Sequence, residues 1–131
     1  MVKKISDAIA LQGAFSLICD GTQDASRLEA EAVLVRYIEK SNGNLRPVER
    51  LIEVFTTGST SGEALCDTII SVLKVSEIDV KCMIGQSYDG AGNMRGQLAG
   101  LKTRLLQHAP RAIYVWCSAQ RLNLAIEAML K

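Results

Sequence analysis

Two aspartates stand where an apolar run gives way to glycine. One is Asp20, in Phe15-Ser16-Leu17-Ile18-Cys19-Asp20-Gly21-Thr22. The other is Asp89, in Gly85-Gln86-Ser87-Tyr88-Asp89-Gly90-Ala91-Gly92-Asn93-Met94. A carboxylate at the end of a strand is poorly placed for packing and well placed to hold a cation. If the two strands lie side by side and parallel, both carboxylates reach the same carboxyl edge, where open α/β sheets bind ligands. Two carboxylates there repel each other unless a proton or cation intervenes. Mg²⁺ prefers oxygen ligands and is commonly held by one or two carboxylates. A pair of such ions can clamp the attacking and leaving oxygens of phosphoryl transfer. Aspartate also caps turns and helices, and spacing alone leaves both readings open.

Other candidate chemistry is weaker. Gly90-x-Gly92-x-x-x-Gly96 follows a strand and precedes a helix, but it misses the dinucleotide spacing by one residue. No Lys-Ser/Thr pair completes a phosphate-binding loop. The glycines better suit a helix that starts close beside the sheet. Cys117-Ser118-Ala119-Gln120 carries glutamine where a second ligand or base would stand, and glutamine is a poor zinc ligand and no general base. His108 is the only histidine, placed where a cation favours the end of a helix. Nucleophilic hydrolase chemistry therefore has no support. Cys19, Cys66, Cys82 and Cys117 show no C-x-x-C pair and read as small hydrophobes.

The elements that must position the aspartates follow from periodicity. Residues 2–11 pattern as a helix, closed by Gly13. Ala14 to Cys19 read as a strand covered on both faces. Residues 29–39 alternate as a second strand. Ser41-Asn42-Gly43-Asn44 is a turn, and Val48 to Phe55 make a third strand antiparallel to the second. Thr60-Ser61-Gly62-Glu63 has the spacing of a capping box, followed by Leu65, Ile69, Val72 and Leu73 at helical spacing. Lys81 to Ile84 form a short fourth strand. A helix runs to about Gln107, with Met94, Leu98, Leu101 and Leu105 on its apolar stripe and Pro110 beyond it. Ile113 to Trp116 form a fifth strand, and a last helix carries Leu122, Ile126 and Met129. Strands joined by helices must be parallel, because their crossovers are long. The expectation is one α/β domain over residues 1–131, with a five-stranded mixed sheet and flanking helices.

Composition sets the remaining bounds. At 131 residues, 48% hydrophobic and 22% charged, the chain suits one globular domain. No apolar run approaches the ~20 residues of a membrane span, and the N-terminus lacks the apolar stretch of a signal peptide. No membrane partner and an intracellular setting are expected. Net charge is +1, yet residues 1–80 hold 8 Lys/Arg against 12 Asp/Glu, and residues 81–131 hold 7 against 2. This asymmetry makes Lys102, Arg104, Arg111 and Arg121 candidate phosphate contacts.

Three segments in order resemble a known family: Phe15 to Asp24, Gln86 to Met94, and Cys117-Ser118-Ala119-Gln120-Arg121-Leu122-Asn123-Leu124. They are similar to the catalytic core of hAT-superfamily transposases, including the hAT-like domains of MYM-type zinc-finger proteins and other domesticated transposase genes. The resemblance spans roughly residues 5–130. It implies a ribonuclease H-like fold, a DDE site using Mg²⁺ or Mn²⁺, strand cleavage and transfer on DNA, and a nuclear setting. Asp20 and Asp89 match the first two catalytic carboxylates. Asn93, Cys117 and Gln120 fall in the family's motifs, with Gln120 where the family has histidine. The third carboxylate of the family is a glutamate on a helix well beyond the fifth strand, and Glu127 stands too early for that role. The resemblance thus implies a C-terminally truncated core, inactive alone. The alternative is a domesticated domain without chemistry that docks nucleic acid or a protein partner, or associates with itself.

Overall fold

A computed structural model describes residues 2–23, 29–57, 62–88, 95–114, 126 and 128–129. The elements are α1 (Val2–Gln12), β1 (Phe15–Gln23), β2 (Glu29–Ser41), β3 (Asn44–Thr57), α2 (Gly62–Val75), β4 (Met83–Tyr88), α3 (Arg95–His108) and β5 (Ile113–Tyr114). The five strands form one sheet in the order β3-β2-β1-β4-β5. The β1–β2 and β2–β3 pairs are antiparallel, and β1–β4 and β4–β5 are parallel. This is the mixed α/β sheet expected from the alternation of short turns and helical crossovers, and it matches a ribonuclease-like topology.

The core explains why these segments settle this way. Phe15, Leu17 and Cys19 point to one face of β1, and Val33, Val35 and Tyr37 to the same face of β2. Ile5 and Ile9 of α1 close over them, with Leu65, Ile69 and Leu73 of α2 and Leu101 and Leu105 of α3. A spacing of four residues puts each helical set on one stripe. On the second sheet face, Leu51, Val54 and Ile113 are 47%, 52% and 70% exposed, opposite Leu34, Ala32 and Gly85 in register.

Local chemistry sets the boundaries. Gly13 ends α1 at φ +75°, its N–H donating to Ile9 O at 2.7 Å. Asn42 and Gly43 take positive φ in the β2–β3 turn, as a tight hairpin demands. The sheet departs from expectation in three places. β3 begins at Asn44 rather than Val48, because an edge strand tolerates Pro47 with no donor to offer. The fourth strand starts at Met83 rather than Lys81, since Asp79 accepts from Lys81 N at 3.0 Å and holds Val80–Cys82 in a 3-10 turn, and it runs to Tyr88 rather than Ile84, because β1 pairs with it as far as Cys19–Tyr88. β1 runs past Asp20 to Gln23, because β2 keeps pairing with it as far as Gln23–Glu29. Thr60 of the expected capping box, Met94, Trp116 and Leu122 lie outside the described residues.

Candidate metal-carboxylate edge

The parallel β1–β4 ladder decides where the two aspartates stand. Its registered pairs run from Phe15–Met83 to Cys19–Tyr88, with a shift between Phe15 and Ser16. The next residue on β1 is Asp20. It is exposed and sits opposite Ala32 of β2. Asp20 is therefore inside the antiparallel ladder with β2, one residue past the described parallel ladder with β4. The residue after Tyr88 is Asp89, which lies outside the described residues, as do Asn93, Cys117, Gln120 and Arg121. A solvated carboxylate beside the end of a parallel strand pair suits a hard, oxygen-seeking cation. Among the described residues, no three His, Cys, Asp or Glu side chains converge on a metal position.

Beneath this edge the protein is locked by buried polar bonds. Tyr88 is 1% exposed and donates its hydroxyl to Gln86 Oε1. Gln86 is also 1% exposed, and its Nε2 donates to Ala112 O at 3.1 Å. The amide thus joins β4 to the segment leading into β5, and its oxygen is satisfied by the tyrosine. The rings of Tyr88 and Tyr114 lie 5.8 Å apart, and Lys102 Nζ sits 5.0 Å from the Tyr114 ring centre. Burial pushes the Tyr88 phenol well above its ordinary range, with the neighbouring Cys19 and Cys66 thiols adding to it.

One acidic residue on the core face was not singled out from the sequence. Glu31 is 7% exposed and faces Gly21 across β1–β2. Burial, then the Glu31 charge, pushes the Cys19 thiol far above its ordinary range. The signal was present: Glu31, Val33, Val35 and Tyr37 share one parity in β2. Cys19 and Cys66 are buried free thiols and Cys82 is half-buried, in keeping with their reading as small hydrophobes.

The candidate phosphate contacts do not stand as a ready row of free cations. Arg104 pairs with Glu63 at 3.7 Å. Arg111 donates to Lys81 O at 3.3 Å. Lys102 lies over Tyr114. All three are exposed, as is His108 in the last turn of α3. Among the described residues, no helix is long and apolar enough to cross a membrane. The family model described as the ZMYM1/FAM200, RNase-like domain (DUF4371) matches residues 1–100.

Proposed function

The chain belongs to the ZMYM1/FAM200 RNase-like domain family, and we propose that it is a transposase-derived domain of hAT type with Asp20 and Asp89 at its metal edge. The observation that supports this reading is the parallel β1–β4 pairing, which runs to Cys19 and Tyr88, one residue short of each aspartate. Asp20 and Asp89 hold one Mg²⁺ or Mn²⁺ weakly. A divalent ion bound there supplies positive charge to a scissile phosphate. Two carboxylates from this chain do not fix the ion geometry that in-line attack on DNA needs, and misplacement by about 1 Å can cost two orders of magnitude in rate. Asp20 and Asp89 by themselves therefore do not cut DNA, and the family resemblance supports a nuclear setting.

Two measurements test this reading. Mn²⁺ titration should broaden the amide resonances of residues 19–21, and both Asp20→Asn and Asp89→Asn should abolish the broadening. Broadening indifferent to both variants would overturn the metal assignment. Supercoiled plasmid incubated with the chain and Mg²⁺ or Mn²⁺ should stay intact. Nicking that Asp89→Ala removes would show a working enzyme instead.

A further inference from the structure

At the end of the sheet remote from Asp20, α1 and the β2–β3 hairpin enclose a cleft of about 390 Å³. Lys4 and Gln12 line it from α1, and Lys40, Ser41, Arg46 and Arg50 from the hairpin. Its one carboxylate, Glu39, is already engaged by Arg46 at 3.4 Å. Among the described residues, Lys4, Lys40 and Arg50 have no carboxylate within ion-pair distance; Lys74, Lys81, Lys102 and Arg111 have none either, but Lys4, Lys40 and Arg50 line one cavity. Three uncompensated cations converging on a concavity focus a positive potential there. The charge tally by halves hides this feature, because all three belong to the net-acidic residues 1–80.

We propose that this cleft binds the sugar-phosphate backbone of a nucleic acid strand, independently of sequence. Lysine, arginine, serine and glutamine are the side chains that commonly contact phosphate oxygens. No aromatic ring lines the cleft to stack a base, so the contact reads backbone only. Leu11 and Ile38, 77% and 37% exposed, offer apolar surface to the sugars. The cleft lies far from the aspartate edge: Lys40 is eight residues along β2 from Ala32, the partner of Asp20, or roughly 26 Å of strand. A strand held here is anchored away from any metal, so the proposal stands whether or not the aspartates bind an ion.

The test is fluorescence anisotropy with labelled single-stranded and duplex DNA in EDTA, from low to physiological salt. The triple variant Lys4→Gln, Lys40→Gln, Arg50→Gln should bind at least ~10-fold more weakly at low salt. Its salt slope should be shallower by about 0.7–0.9 per lost phosphate contact. Lys74→Gln with Lys81→Gln should leave both quantities near wild type. All five side chains are exposed or half-buried, and circular dichroism checks that the folds match. Binding unchanged in the triple variant, or no DNA binding by the wild-type chain, overturns the proposal. So does a poly-glutamate peptide that displaces DNA at equal charge concentration, which would make the cleft a site for acidic protein.

Discussion

Cys19 and Tyr88 face each other as the final registered pair of the parallel β1–β4 ladder, both buried, each followed directly in sequence by an aspartate. The packing of this pair and the chemistry of the edge are therefore linked. Whatever holds Tyr88 in place sets where β4 hands over to the Asp89 segment. The candidate edge rests on a buried platform, and three predictions probe that platform.

Tyr88→Phe removes the donor to Gln86 Oε1 and leaves a buried amide oxygen without it. An orphaned buried acceptor costs about 1–3 kcal/mol. Urea unfolding should show a loss of that size. Adding Gln86→Leu should cost less than the sum of the single changes, because the orphaned group goes with it. Strict additivity would mean that the tyrosine and the amide do not depend on each other.

Gly85→Ala tests how closely β4 lies against β1. A Cβ at Gly85 would come within 2.7 Å of Ser16 Oγ and 3.3 Å of Ser16 Cβ. The hydroxyl can rotate away, but the β-carbon cannot without moving β1. Overpacking of this kind costs typically 1–3 kcal/mol. In a thermal melt the Gly85→Ala penalty should shrink in a Ser16→Ala background, where the oxygen is gone. A penalty of the same size in both backgrounds would place the strain on the Ser16 β-carbon, which alanine keeps, rather than on the hydroxyl.

Much of this was legible in the residues. The order of elements, the antiparallel hairpin and the parallel sense of the later strands followed from periodicity, the Asn42-Gly43 turn and the lengths of the crossovers, whereas the adjacency of β1 and β4 was a supposition that the family resemblance agreed with. Less legible was how far β1 runs, because Gly21, Thr22 and Gln23 look like a turn until Glu29, Ala30 and Glu31 pair with them. That pairing is long-range and leaves little trace in local pattern. The basic cleft was hidden for a related reason. Lys4 and Lys40 are 36 positions apart in sequence, and only the packing of α1 beside the hairpin brings them to one cavity.

Stability should fall at alkaline pH in two steps that the buried acids define. Cys19 is raised from its ordinary value of 9.0 and Tyr88 from 10.0, in both cases chiefly by burial. Below pH 9 both groups are neutral in folded and unfolded chains, so neither affects the balance. Above pH 9 the unfolded chain releases the Cys19 proton while the folded chain keeps it, and folding loses ground. Tyr88 adds the same penalty above pH 10. Each group steepens the fall by up to about 1.4 kcal/mol per pH unit. Urea midpoints from pH 7 to 11 should therefore bend downward near 9 and more steeply near 10. Cys19→Ala should shrink the first bend, to which the raised Cys66 thiol also contributes, and Tyr88→Phe the second, to which the raised Tyr37 and Tyr114 phenols contribute, even though each variant starts less stable. A profile of the same shape in Cys19→Ala would mean that the thiol ionises in the folded protein. That would contradict its burial between β2 and the helices.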